Sequence, residues 1–290
     1  MKSNILFPVR VAILIASYNR KEKTMACLNS IKAQEISDNI HIEIFLTDDE
    51  SSDGTVDQIK NSFPEVNIYN GNGSLFWAGG MRNSWGNALI TDPDYYLLLN
   101  DDTFLFCDAL KKILSISINY YNEKSNQAIF IGSTKDIKTD IISYGGRKLY
   151  SRNRPKGYLI QSNTDWVECD LGEANIMLVP RIIVQQIGIL SNKFTHGIAD
   201  YDYTLRAKKK GFKVMVAPGI LGTCSFDHGK GWKSADTKLA DRIKYLYSPK
   251  GLAYKEYLYY IKKHFPLHLP EAIFKLWLKT LFPIVYDRFK

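Results

Sequence analysis

Residues 95–105 read YYLLLNDDTFL, five apolar positions that run straight into Asn100, Asp101 and Asp102. An unbroken apolar run of this length is a strand buried on both faces, as in parallel sheets with helices on either side. Carboxylates directly after it are costly to bury unless something pairs with them. Capping a following helix, with Thr103 and Asp108 as competing caps, needs one carboxylate and leaves the second unexplained. A hard divalent cation, Mg2+ or Mn2+, accounts for both, because it takes one or two carboxylates together with phosphate oxygens and water.

Outward from this stretch the same alternation repeats. VAILIA (11–16) is a buried strand, and KEKTMACLNSIKAQ (21–34) follows with Met25, Leu28 and Ile31 at helical spacing. HIEIFLT (41–47) is a second strand that ends at DDESSDGT (48–55), and a helix resumes over 55–62. A short strand over 67–69, the glycine-rich NGNGSLFWAGG (70–80) and a helix over 81–89 lead back to the quoted run. The expected fold is α/β, a Rossmann-like, mostly parallel sheet flanked by helices. Ligands of such sheets bind beyond the carboxyl ends of the strands, where each of these polar clusters falls.

After Asp108 the pattern is mixed. It predicts a helix to about Asn122, a strand AIFIG (128–132), a loop through SYGGRKLYSRNRPKGY (143–158), a strand over 174–179 and a helix from Pro180. DYDYTLRAKKKG (200–211) is a helix closed by Gly211, and the strand FKVMVA (212–217) follows. From about residue 236 the composition turns to Tyr, Lys and Leu, and residues 272–282 set Ile273, Phe274, Trp277, Leu278 and Leu281 against Lys275 and Lys279. The expected organisation is a catalytic domain over 1–235, with halves 1–106 and 107–235, and a helical extension over 236–290.

The chain has 290 residues, 45% of them hydrophobic, and a formal net charge of +8. Ten Lys/Arg against four Asp/Glu in residues 241–290 place +6 of that charge in the tail and leave +2 for the rest. A near-neutral body argues against a nucleic-acid-binding module. The basic, aromatic tail suits an anionic membrane surface, with packing onto the body as the other option. The four cysteines are far apart and form no metal-ligand spacing, as expected of reduced thiols in a cytoplasmic protein. No signal-like segment or run of about 20 apolar residues is evident, so any membrane contact is expected to be peripheral, on the inner face.

Several side chains suit chemistry at the strand ends. Asp48 could accept the imide N–H of uracil or thymine, while Ser52 and Asp53 suit a turn and helix cap. Gly79 and Gly80 permit close backbone approach or positive φ, and Arg82 offers a planar fork to a diphosphate. Asp202 and Arg206 are spaced as an i,i+4 ion pair. Asp200, on another face near the helix start, is free to serve as a general base. His196 is open to three readings, a cap, an acceptor contact or a residue with no visible role. His228, in CSFDHGKGW (224–232), could join Asp102 on a cation, and Lys230 and Lys233 could meet phosphate.

In combination, ASYNR (16–20), TDDESSDGT (47–55), GGMRN (79–83), LLLNDDT (97–103) and IADYDYTLRAKKKG (198–211) resemble the family 2 glycosyltransferases, over roughly residues 9–232. The resemblance extends to enzymes of bacterial surface-polysaccharide assembly, including rhamnosyltransferase-like members. It implies the A-type glycosyltransferase fold and inverting transfer of a hexose or deoxyhexose from a nucleoside diphosphate sugar, of UDP or dTDP type, to a glycan or lipid-linked glycan in O-antigen or capsule synthesis. It implies Ala16, Tyr18, Arg20, Asp48, Arg82 and Asp101 at the nucleotide, and Asp102 and His228 at Mg2+ or Mn2+. Asp200 is then the catalytic base, with Trp77, His196 and Asp202 at the acceptor. The chain departs from the family pattern at Glu50, usually Gly or Ala, at Asn100, usually an acid, and at Ala199, often Glu. A sugar-phosphate nucleotidyltransferase would also use strand-end acids with Mg2+, but ASYNRKEK (16–23) lacks the glycines of its phosphate loop.

Overall fold

The computed structural model describes residues 8–226 and 237–288. The first half alternates strand and helix as β1 (Val9–Ser17), α1 (Lys21–Lys32), β2 (Ile40–Asp48), α2 (Thr55–Ser62), β3 (Asn67–Asn70), α3 (Phe76–Ala88) and β4 (Tyr95–Leu99). Then follow β5 (Phe104–Leu105), α4 (Ala109–Lys124), β6 (Ala128–Lys135), β7 (Ile142–Tyr144), β8 (Gly146–Leu149), β9 (Gly157–Ile160), β10 (Val167–Glu168) and β11 (Leu171–Gly172). The chain continues as β12 (Ile176–Pro180), α5 (Arg181–Ile187), α6 (Ala199–Lys209), β13 (Lys213–Thr223), α7 (Leu239–Tyr247), α8 (Tyr254–His264), α9 (Leu269–Leu281) and α10 (Pro283–Arg288).

Among the described residues the main sheet runs β10-β13-β6-β12-β4-β1-β2-β3, with β5 on β13 and β7 on β6. The β4-β1-β2-β3 half is parallel throughout, whereas β12 runs antiparallel to both β4 and β6. This matches a regular pattern in the first hundred residues and a mixed one after Asp108. Alternate residues of β1 explain its continuous apolar run: Val11, Ile13 and Ile15 pack toward α1, α2 and α4, and Ala12 and Leu14 toward α3, α5 and α6. Both faces are covered, so no position of the strand can be polar without cost.

Two expectations change. The stretch 143–158 is not a loop but contributes to β7, β8 and β9, short strands whose partners include the distant β11. Their polar, non-alternating residues carry no periodicity, and only nonlocal pairing defines them. Gly79 and Gly80 do not form a ligand-approaching turn either, because α3 starts five residues earlier than the periodicity predicts and contains them. A Cβ on Gly80 would lie 2.8 Å from the Ala16 Cβ, so the glycine lets α3 rest directly on the end of β1. That close packing offsets the helix propensity that glycine forfeits.

The C-terminal helices are not a separate appendage. Tyr260, Ile261, Phe265 and Ala272 join the same buried cluster as Leu14 and Leu98. Polar anchors reinforce the contact: Thr195 donates from N (2.9 Å) and Oγ1 (2.5 Å) to the Glu256 carboxylate, and Lys209 Nζ donates to the Lys263 carbonyl at 3.1 Å. The outward side of this region is different. Leu267 is 82% exposed and Phe274 65%, with Leu281, Phe282 and Ile284 also exposed. Among the described residues no helix is long and apolar enough to cross a membrane.

Candidate active site

A cleft of about 1080 Å³ opens beyond the carboxyl ends of β1, β2 and β4. One wall carries Ala16, Tyr18, Arg20, Asp49, Asn100, Asp101 and Asp102, and the facing wall Glu173, His196, Asp200 and Tyr201. A smaller cavity of about 320 Å³ lies at the opposite ends of β1 and β4, beside Val9, Tyr95 and Arg181, and there Arg181 is already bound to Asp94 at 3.2 Å. The large cleft is therefore where unabsorbed chemistry converges.

The backbone around it is strained. Asn19, Glu50, Phe76 and Ile198 all have positive φ, at 49°, 68°, 52° and 69°. Such residues cost about 1–3 kcal/mol each and persist where the surroundings over-determine them, often at functional sites. Glu50 stands where the family pattern has glycine, and its left-handed φ shows why glycine suits that turn. Ile198, β-branched and left-handed, directs the chain into the first turn of α6, where Asp200 sits.

On the first wall, Arg20 Nη1 contacts Asp101 Oδ1 at 3.1 Å and Asp102 Oδ2 at 2.7 Å. Burial raises the Asp101 pKa to about 6, against the lowering effect of Arg20, while neighbouring Asp102 raises it further. The Cys224 thiol, pushed up to about 12 by burial and by Asp102, stays protonated and donates to Asp102 Oδ1 at 3.6 Å. Neither aspartate caps the next helix, which begins only at Ala109. Asn100, the departure from the acidic pattern, accepts a 2.7 Å bond from Trp77 Nε1 and so fixes that indole on the cleft wall.

On the facing wall, Asp200 Oδ1 accepts the Tyr201 N–H at 2.8 Å and Oδ2 the Ala174 N–H at 3.2 Å. Burial first, and then the charge of Glu173, raises its pKa to about 7 despite those bonds. A carboxyl poised near neutrality is suited to proton transfer. Glu173 is held in turn by Arg147 Nε at 2.8 Å, by the Tyr201 hydroxyl at 2.8 Å and by the Gly145 N–H at 2.9 Å. His196 lies against Phe76 with ring centroids 6.3 Å apart, and burial, then Lys250 and Arg20, lowers its pKa, favouring the neutral ring.

The cleft thus gathers Ala16, Tyr18, Arg20, Trp77, Asp101, Asp102, His196 and Asp200 from the residues singled out in the sequence. Three others are placed differently. Arg82 Nη1 donates to the carbonyls of Ser191 (2.9 Å) and Phe194 (2.7 Å), which ties α3 to the loop before α6 instead of addressing a diphosphate. Asp202 is wholly buried, so it cannot meet an acceptor: it binds Arg206 at 2.9 Å, Lys263 at 2.7 Å and His264 at 2.8 Å. Asp48 is buried beneath the wall that Asp49 lines, its Oδ1 accepting the Ser51 N–H at 2.8 Å and its Oδ2 without a partner in the described structure. His228, with Asp227, Lys230 and Lys233, lies outside the described residues. Asp53 does cap, accepting the Lys21 N–H at 2.9 Å and the Thr55 N–H at 3.0 Å.

Sequence reasoning missed Glu173 and Lys250. Glu173 sits between two short strands with no periodicity to mark it. Lys250 belongs to Ser248-Pro249-Lys250-Gly251, whose turn signal is plain, but nothing local says what the turn faces.

Comparison with known proteins places this geometry in context. The sequence model of glycosyl transferase family 2 matches residues 12–181, more than half of the chain. Abequosyltransferase RfbV of Salmonella typhimurium is 28% identical over 159 residues, which are 53% of this chain and 45% of that protein. The match thus spans less than half the length of that curated relative. S. aureus TarS 1-349, solved in complex with UDP, superposes with a TM-score of 0.54 at 13% identity, covering 74% of this chain and 60% of that fragment. The mannosyltransferase PcManGT from Pyrobaculum calidifontis, in complex with GDP-Man and Mn2+, gives a TM-score of 0.56 at 13% identity, covering 95% and 72%. The fold expected from the sequence, the A-type glycosyltransferase fold with C-terminal helices, is the one these structures share with the chain.

Proposed function

We propose that this chain, which belongs to glycosyl transferase family 2, transfers a sugar with inversion from a nucleoside diphosphate sugar to a hydroxyl of a glycan or lipid-linked glycan. A bacterial surface polysaccharide is the favoured product, in keeping with the likeness to an abequosyltransferase. The observation that carries the reading is a single cleft with paired aspartates on one wall and, on the other, an aspartate whose pKa is raised to about 7.

In the reaction Asp200 takes the proton of the acceptor hydroxyl through a carboxylate oxygen. The hydroxyl oxygen bonds to the anomeric carbon from the face opposite the diphosphate. The bond from that carbon to the diphosphate oxygen breaks, and the nucleoside diphosphate leaves. Glu173, fixed by Arg147 and Tyr201, keeps the Asp200 proton affinity high, and Trp77 and His196 shape the acceptor end. Tyr18 offers an exposed ring to the base, at the strand end where Asp49, and not the buried Asp48, lines the cleft.

Asp101 and Asp102 fit Mg2+ or Mn2+ as adjacent hard oxygen donors, although among the described residues no group of three His, Cys, Asp or Glu side chains is arranged around an ion. The remaining positions would come from phosphate oxygens and water. A bound cation would supply charge stabilisation to the departing diphosphate.

The test is a thermal-shift panel of uridine, thymidine, cytidine, guanosine and adenosine diphosphates, each with Mn2+ and with chelator. One of them should stabilise the chain with Mn2+, by about 2.7 kcal/mol at a hundred-fold excess over Kd, and less so with chelator. No shift with any nucleotide at millimolar concentration would overturn the reading.

The exposed apolar side of α9 and α10 suits peripheral contact with an anionic bilayer that would present a lipid-linked acceptor. Vesicles containing anionic lipid should retain the full chain, and the double substitution Phe274→Glu with Leu281→Glu should abolish sedimentation with them. Equal sedimentation of both proteins would remove the membrane from the reading.

A further inference from the structure

The donor proposed above carries a diphosphate, and the cleft arginines Arg20 and Arg147, like Arg82 outside the lining, are engaged elsewhere. Arg20 is bound to Asp101 and Asp102, Arg147 to Glu173, and Arg82 to two backbone carbonyls. Lys250 differs from all three. It is exposed, it lines the cleft, and among the described residues no carboxylate lies within ion-pair distance of it. Its Nζ stands 5.8 Å from the centroid of the Tyr18 ring and 6.0 Å from that of Phe76, which sets it over the strand-end Tyr18 at the mouth of β1 and beside the Phe76–His196 pair.

Its position is built into the fold. The turn between α7 and α8 is closed by the Gly251 N–H on the Ser248 carbonyl (2.9 Å), the Leu252 N–H on the Tyr245 carbonyl (3.1 Å) and the Ala253 N–H on the Ser248 carbonyl (3.1 Å). A Cβ on Gly251 would lie 2.0 Å from the Tyr245 carbonyl oxygen, so the residue after Lys250 must be glycine for the turn to close. Immediately beyond, Glu256 fastens α8 to Thr195, the neighbour of His196 in the cleft wall. An ammonium held over aromatic faces, lacking a carboxylate partner among the described residues and lining the same cleft as the paired aspartates, is a ready site for a polyanion.

We infer that Lys250, carried into the cleft by the α7–α8 turn, is a cation that receives the donor's diphosphate. The C-terminal helices thereby complete the donor site, although they lie beyond residues 12–181, which the family model matches. This rests on the glycosyltransferase reading and gives Lys250 the task that the sequence suggested for Arg82.

The test uses the full chain as wild type, Lys250→Met and Lys250→Arg, titrated calorimetrically at fixed ionic strength with the preferred nucleoside diphosphate and with its nucleoside. Since Lys250 is exposed, all three proteins should melt at the same temperature. The Met variant should bind the diphosphate roughly ten-fold more weakly or worse, the scale of a hydrogen bond to a charged group, bind the nucleoside equally, and be partly rescued by Arg. Wild-type affinity for the diphosphate in the Met variant would overturn the assignment of Lys250 and leave the glycosyltransferase reading standing, including the case where only acceptor KM rises. Failure of the wild type itself to bind any nucleoside diphosphate would overturn both.

Discussion

Asp200→Asn is expected to lower kcat by on the order of 10²-fold or more, because it removes the proposed base for the acceptor proton, while donor affinity changes little. In the wild type, kcat should fall as the pH drops below about 7, where the Asp200 carboxyl takes up a proton. The Asn variant should have no such limb. Turnover within a few-fold of wild type, or an unchanged acid limb in the variant, would refute the assignment.

The same raised pKa has a consequence for stability, with a definite sign. Between the ordinary carboxylate value of 3.8 and the folded value of about 7, the folded chain holds a proton that the unfolded chain releases. Stability from this group therefore declines as the pH rises through that window and stays lower above it. Asp200→Asn should accordingly melt at or above the wild-type temperature at pH 8, with the difference shrinking toward pH 4. A folded, inactive and more stable variant is what a residue kept for function at a structural cost should yield.

Two positions along the same helix the outcome reverses. Asp202→Ala should destabilise the chain by about 3–5 kcal/mol, because it leaves Arg206 and Lys263 without their common counter-charge and the buried His264 ring without its hydrogen-bond partner. Burial alone would raise the Asp202 pKa, but the bonds from His264 and Lys263 and the charge of Arg206 bring it down to about 2. Its stabilisation is therefore present above about pH 4 and disappears as the pH falls toward 2. Thermal melts at pH 7 should show a loss of roughly 10 °C for a chain of this size. The folded fraction should keep the wild-type donor KM, since Asp202 does not reach the cleft. Wild-type melting together with a raised acceptor KM would return Asp202 to the acceptor site.

This contrast marks where sequence legibility ends. The i,i+4 spacing of Asp202 and Arg206 correctly announces their ion pair, and the apolar runs before Tyr18, Asp48 and Asn100 correctly announce strands with polar ends. Arg82 and Asp200 look alike in sequence terms, each a charged residue in the first turns of a helix next to a strand-end cluster. Only packing separates them: α3 lies against the loop at 191–194 and uses Arg82 to hold it, whereas α6 turns Asp200 to the cleft. The tail shows the same limit. Its amphipathic spacing is visible in the sequence, but which residues pack on the body is decided only by the fold, with Tyr260, Ile261 and Phe265 buried and Phe274 exposed.

The sequence by itself determined the alternation of buried strands and helices that makes the first half a parallel sheet, and the delivery of Asp101 and Asp102 to its ligand end. Those features follow from local periodicity, which fixes which faces of a segment must leave water. The tertiary structure alone decided that Asp200, the paired aspartates and Lys250 line one cleft, that Arg82 holds a neighbouring loop and that Asp202 is buried among its ion-pair partners. These are outcomes of long-range docking between elements up to about two hundred residues apart, whose relative orientation is set by packing and buried ion pairs that no local pattern encodes.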